Sequence, residues 1–168
     1  TRGMHIAALM RCKFILARKV REKLAADAVL IQWPIGAGES FGGLVDLIAG
    51  EAVYFDGDDG EQVRREAVPA EMAEPVAAAR REMLEALSMY SDELMERLLA
   101  EEEIPVELIH GVIREATIAQ ELTPVLLGSA YHNQGVQPLL DAVARYLPSP
   151  ADREVSAARH DDQPDRLT

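Results

Sequence analysis

Apolar and polar positions alternate in blocks whose period changes along the chain, and each period predicts an element. Between residues 6 and 24, Ile6, Leu9, Met10, Cys12, Phe14, Leu16, Val20 and Leu24 recur at helical spacing and predict an amphipathic helix. The largely apolar run at 28–33, "AVLIQW", is short enough for a buried strand closed by Pro34. Strands are expected near 43–48 and 51–56, joined through Ala49 and Gly50, and "EQVRREAV" follows as the third strand of an antiparallel meander. The intervening "FDGDDGE" is a turn, because Asp-Gly pairs reach positive φ at little steric cost.

A long helical segment is predicted from Ala70 to about Ala100, with Val76, Ala79, Met83, Leu87, Tyr90, Leu94 and Leu98 on one stripe. Ser91 and Asp92 can restart the helix and divide it in two. Met83, Met89 and Met95 are read as core packing rather than as an adaptable binding groove. Pro105 opens a further helix with Ile109, Val112, Ile113 and Ala116 facing inward. "TPVLLGSAYHNQGVQPLLDAVARYLPSP" then reads as buried strand, loop and an amphipathic helix ending at Pro148. The polar remainder has no period and is read as a linker. The order is helix–strand, meander with two or three helices, then strand–helix. It predicts an α/β fold in which a parallel layer is interrupted by an inserted α+β subdomain. The expected boundaries are 1–36 for the first part of the layer, 37–120 for the insertion, 121–148 for the last strand-loop-helix, and 149–168 for the tail.

The glycine-rich stretch "GAGESFGG" follows the first strand, where phosphate loops lie. Residues 38–43 fit G-x-x-x-x-G, but Leu44 and Val45 stand where a phosphate-reaching Lys and a magnesium-holding Ser or Thr are required. Glu39 would set a carboxylate beside the anion, and Phe41 breaks the dinucleotide fingerprint. These glycines are therefore assigned to turns and bulges.

The composition is 48% hydrophobic but only 5% aromatic, so the core is aliphatic. The net charge of -12 opposes broad binding to nucleic acid or to an anionic membrane. Residues 1–24 hold seven Lys or Arg against one Glu, a balance of +6 that leaves -18 on the rest. One cysteine, Cys12, excludes a disulfide framework and a multi-cysteine zinc site and fits a reducing compartment. No apolar run reaches the roughly 18 residues of a membrane helix. The Arg-rich start reads as a helix rather than a targeting segment, so the expected location is the cytoplasm, with an organelle as the alternative. Asp56 cannot begin a calcium loop, because Gly60 and Ala67 occupy ligand positions. His110 has Arg114, not a second ligand, one turn later.

The loop after the last strand is the place where chemistry can sit, since ligands of α/β sheets gather at the carboxyl ends of strands. Ser129, His132 and Asp141 could be imagined as a triad, yet no G-x-S-x-G elbow is present. The small residues Gly128, Ser129 and Ala130 offer something else: a flat ring can reach the backbone, whose N–H groups donate to a carbonyl. That suits a nucleobase edge.

Taken together, "QWPIG", "FGGLVDLI", "YFDGDDGE", "SDELMERLLAEEEI" and "TPVLLGSAYHNQGVQPLLDAVARYLPSP" resemble the bacterial-type elongation factor G family over residues 28–152. The resemblance implies a partial P-loop-GTPase-like parallel layer carrying that family's inserted subdomain, which faces the ribosomal stalk protein. It also implies ribosome-dependent GTP hydrolysis coupled to translocation, with GTP or GDP and magnesium, in the intact family. Carried onto this chain, Ser129 and Ala130 would border guanine, the Ala130 N–H would donate to its carbonyl oxygen, and Gly128 would permit the approach. The phosphate, magnesium and Asn-Lys-x-Asp motifs of that family are not in the sequence, and residues 1–20 match it poorly. The chain alone is therefore expected to be inactive, with no membrane and no sequence-specific nucleic acid among its partners. The alternatives are a stand-alone acidic interaction module and a piece of a related release or ribosomal-protection factor.

Overall fold

The computed structural model describes residues 27–36, 40–57 and 60–149. The helix expected at 6–24 and nearly all of the tail lie outside them. Two sheets are present among the described residues. Strand β1 (Ala28–Leu30) pairs in parallel with β6 (Thr123–Val125), with Ala28 opposite Thr123 and Leu30 opposite Val125. Strands β2 (Gln32–Ile35), β3 (Gly43–Asp46), β4 (Glu51–Asp56) and β5 (Gln62–Ala67) form an antiparallel meander in chain order. The helices are α1 (Ala73–Leu87), α2 (Asp92–Leu99), α3 (Val106–Ile118) and α4 (Val136–Tyr146). This is the mixed α/β architecture expected, a parallel layer interrupted by an antiparallel sheet and three helices.

The run at 28–33 is divided between the two sheets. Ile31 is the hand-over: its N–H donates to the Val125 carbonyl at 3.2 Å, and its carbonyl accepts from the Leu47 N–H at 3.1 Å. One residue thus serves both sheets, and the change of sheet falls at Ile31. Pro34 does not close the strand; it lies inside β2, opposite Leu44. This is tolerated because β2 is the outer strand of the meander, where no neighbour needs the missing N–H.

The meander follows the two-residue period of a sheet. Val45 and Ala52 turn to the helices, while Leu44, Val53 and Phe55 form a separate buried cluster. Asp46 closes the β3–β4 turn by accepting the Ile48 N–H at 2.8 Å and the Ala49 N–H at 3.2 Å. The Arg80 guanidinium of α1 then donates to the carbonyls of Leu47 and Ile48, the second at 2.5 Å, and fastens the helix to that turn. Strand β5 is exposed throughout, and its charges blunt a free edge. Arg64 there lies 4.8 Å from the Tyr54 ring centroid and bonds Asp56 at 2.7 Å.

Helix α1 ends in a 3-10 turn at Ser88–Tyr90, and α2 restarts after Ser91, whose hydroxyl accepts the Leu94 N–H at 3.3 Å. The stripe expected on 76–98 is largely internal: Val76, Ala79, Met83, Leu87 and Leu94 are buried. Ile109, Val112, Ile113 and Ala116 of α3 are buried as well. The methionines divide. Met83 is in the core, but Met89 is 75% exposed and Met95 37%, because both lie on the outer side of their turns. A single core cluster runs from Val29 and Ile31 through all three of these helices to Ala142 and Tyr146 of α4. Arg114 of α3 closes the joint by donating to the Arg145 carbonyl at 2.6 Å, near the carboxyl end of α4 where a cation is favoured. Helix α4 stops at Tyr146, two residues before Pro148. Strand β6 is exposed at Thr123 and half-buried at Pro124 and Val125, not buried as the apolar "TPVLL" suggested. Leu139, Leu140 and Val143 stand exposed along α4, and Leu147 just beyond its end.

Candidate functional site

The stretch from Leu127 to Gly135 lies at the carboxyl end of β6 and closes on itself. Ser129 and Gln134 form an isolated antiparallel bridge, N–H to carbonyl both ways, at 2.8 and 3.0 Å. Between them Ala130–His132 make one 3-10 turn. The His132 N–H donates to the Ser129 carbonyl at 3.2 Å and the Asn133 N–H to the Ala130 carbonyl at 3.3 Å. The closing bonds thus use the N–H groups of Ser129, His132, Asn133 and Gln134. That of Ala130 is not among them, and Ala130 is exposed.

Two glycines let the arms of the loop meet. A Cβ on Gly128 would stand 2.7 Å from the Gln134 carbonyl oxygen. A Cβ on Gly135, whose φ is +86°, would stand 2.7 Å from the Leu127 carbonyl oxygen and 2.9 Å from the Gly128 Cα. Real Cβ atoms do not come so close, so any side chain at either position forces the arms apart. The near arm is held from the meander, where the Gln32 side chain is 5% exposed and its Oε1 accepts the Leu127 N–H at 2.8 Å. Gln32 satisfies a backbone donor just beyond the last strand pair, which explains one polar residue in an apolar run.

The structure brings Gly128, Ser129 and Ala130 together as a small-residue ledge. It does not build a triad: Asp141 lines a cavity of about 200 Å³ with His110, Arg145 and Tyr146, and neither Ser129 nor His132 is in its wall. In that cavity His110 Nδ1 and the Tyr146 hydroxyl are 2.7 Å apart. Burial, aided by Arg145, holds the imidazole below its usual pKa against the opposite pull of Asp46 and Glu107. Burial also pushes the Tyr146 phenol up to about 12. Among the described residues no group of three His, Cys, Asp or Glu is placed to hold a metal ion, and no helix is long and apolar enough to cross a membrane.

The segment after "GAGESFGG" is strand β3, not a helix amino terminus, and Leu44 and Val45 are fully buried in the sheet. Gly36 has φ +80°, and the Gly42 N–H returns to the Ile35 carbonyl at 2.9 Å. These are turn roles. The sequence did not single out Gln32, Gly60 or Gly135. Only the isolated polarity of Gln32 hinted at its role.

No family model matches the chain. Among curated proteins, elongation factor G of Rhodopirellula baltica is 54% identical over 140 residues, which are 83% of this chain and 20% of that protein. Elongation factor G 1 of Syntrophus aciditrophicus is 46% identical over 142 residues, 84% of this chain and 20% of that protein. Elongation factor G 2 of Anaeromyxobacter dehalogenans is 48% identical over 143 residues, 85% of this chain and 20% of that protein. A crystal structure from Thermus thermophilus matches with a TM-score of 0.69 at 31% identity, over 83% of this chain and 21% of that one. The chain spans about a fifth of the length of the curated relatives it matches. By sequence and by fold, this chain belongs to the elongation factor G family, matching one part of those proteins.

Proposed function

We propose that this chain supplies the guanine-contacting loop and a stalk-facing subdomain to a ribosome-dependent translational GTPase. The observation that carries the first half is the Ala130 N–H, which lies outside the bonds that close the loop, on an exposed ledge of Gly128, Ser129 and Ala130. A purine edge can approach such a ledge, and a backbone N–H there donates to the ring carbonyl. The fit ends at the base. Leu44 and Val45, buried in β3, offer no cation or hydroxyl to phosphate, so the phosphates and magnesium that GTP chemistry requires are held elsewhere in an intact protein. The corresponding division is 1–36 and 121–148 in the GTPase core, 37–120 as the insertion and 149–168 as a linker. The working place is the cytoplasm.

The second half rests on a groove of about 970 Å³ between α1 and the α2–α3 connection. Leu84, Leu98 and Ile104 form its apolar side, Met95 and Leu99 stand exposed at its wall, and Glu101, Glu102 and Glu103 line its rim. An apolar floor with an acidic rim suits a protein surface carrying Lys and Arg around an apolar patch, and we assign it to the ribosomal stalk protein. Salt and reversal of the acidic charges on 92–103 should both weaken that contact.

The test is a chimera in which residues 28–149 replace the matching segment of the Rhodopirellula baltica protein. Ribosome-stimulated phosphate release should survive in the chimera. The 168-residue chain with GTP, magnesium and ribosomes should stay at background. Turnover by the chain alone, or a folded but ribosome-insensitive chimera, would refute the proposal.

A further inference from the structure

The meander also touches the far arm of the loop. Beyond β4 the chain turns through Gly57, at φ +94°, and Gly60, at φ +64°, and Gly60 is buried. A Cβ on Gly60 would lie 3.1 Å from the His132 carbonyl oxygen and 3.3 Å from that of Asn133. The backbone of the hairpin tip therefore rests directly on the return arm. Gln137, in the first turn of α4, donates from Nε2 to the Gly60 carbonyl at 3.2 Å. With Gln32 on the near arm at Leu127, both arms are held by groups of the meander.

We infer that Gly60 and Gln137 are positioning residues that set the direction of the Ala130 N–H, so that the meander governs guanine selectivity. The inference rests on the guanine-loop reading above. The physical path is short. Asn133 takes φ +51°, a left-handed conformation that asparagine adopts more readily than other non-glycine residues, and its carbonyl faces Gly60. The Ala130 N–H lies in the plane of the Ser129–Ala130 peptide, whose carbonyl accepts the His132 N–H at 3.2 Å and the Gln134 N–H at 3.0 Å, so displacing residues 132–134 rotates that peptide and with it the N–H. Gly60 is the group that blocks such a displacement from one side, and Gln137 keeps Gly60 in place.

The experiment uses the chimera with Gln137→Leu, Gly60→Val, Ala130→Leu and the control Val63→Ala on the exposed hairpin. Each is measured for melting temperature and for affinity toward GDP and toward 2-aminopurine riboside diphosphate, which lacks the ring carbonyl. Gln137→Leu should weaken GDP about threefold to tenfold, the effect of one neutral hydrogen bond, and Gly60→Val at least as much. The analogue should be affected far less, and Val63→Ala not at all. A purely structural role would lower the melting temperature and weaken both nucleotides alike, which overturns the inference. GDP affinity unchanged in Gln137→Leu and Gly60→Val while Ala130→Leu loses it overturns the inference and spares the guanine loop. GDP affinity unchanged in Ala130→Leu itself overturns both. Gln137→Leu keeps the test decisive if Gly60→Val does not fold.

Discussion

Replacing Gly135 by alanine should open the loop without unfolding the domain. The new Cβ would meet the Leu127 carbonyl oxygen at 2.7 Å and the Gly128 Cα at 2.9 Å, and both are backbone atoms that cannot swing aside. Alanine at φ +86° also carries a left-handed penalty of about 1–2 kcal/mol. A stiffer unfolded chain offsets about 0.4–1 kcal/mol of it. The clash is relieved by moving the 127–128 arm away, which forfeits the two Ser129–Gln134 bonds at about 0.5–1.5 kcal/mol each. The bond loss alone should lower the free energy of local opening by about 1–3 kcal/mol, which accelerates amide exchange about five- to 150-fold. Exchange is read by NMR at the Ser129 and Gln134 amides, with the buried Ile113 of α3 as internal control. Unchanged exchange at Ser129 and Gln134, or an equal acceleration at Ile113, would refute the close-approach account.

Ile113→Ala, at a site with no exposure, should cost about 2–5 kcal/mol in urea unfolding, whereas Met89→Ala at 75% exposure should stay within about 0.5 kcal/mol; equal costs would refute the core assignment. Ser91→Ala removes the cap on the Leu94 N–H and should lower stability by about 0.5–2 kcal/mol in thermal melts, while Ser91→Asp should retain it. Because burial lowers the His110 pKa on folding, the unfolded chain binds the proton more readily. Stability from this site is present above its ordinary value of 6.5 and is lost as pH falls through it. Wild type should therefore lose more stability than His110→Gln between about pH 7.5 and 5.5, and parallel denaturation curves would contradict this.

The sequence revealed what local period and capping chemistry determine. The stripes of α1 and α3 were legible because Val76, Met83, Leu87, Ile109 and Ile113 recur at helical spacing, and Ser91 announced the restart of α2. The end of α3 was harder to read, because Gln120 at φ 63° takes a left-handed position usually held by glycine. The division at Ile31 was hidden because a run that is apolar except at Gln32 has no period to show where one sheet yields to the next. The place of Gly128, Ser129 and Ala130 in a loop after a strand was legible from the sequence. The loop's supports were not. Gln32 reaches across 95 positions to Leu127, and Gln137 across 77 to Gly60, and no local pattern encodes such partners. Met89 and Met95 were misplaced because a methionine near a helical stripe looks alike inside and out.

The claim that this chain presents a guanine-contacting loop is tested most directly by GDP titration of the chimera with alanine, glycine or leucine at position 130. The donor is a backbone N–H, so Ala130→Gly should bind GDP nearly as wild type. Ala130→Leu should crowd the base off the ledge and weaken GDP by more than the roughly tenfold that one lost hydrogen bond explains, with its melting temperature retained. A stably folded Ala130→Leu protein that binds GDP as tightly as wild type would contradict the account.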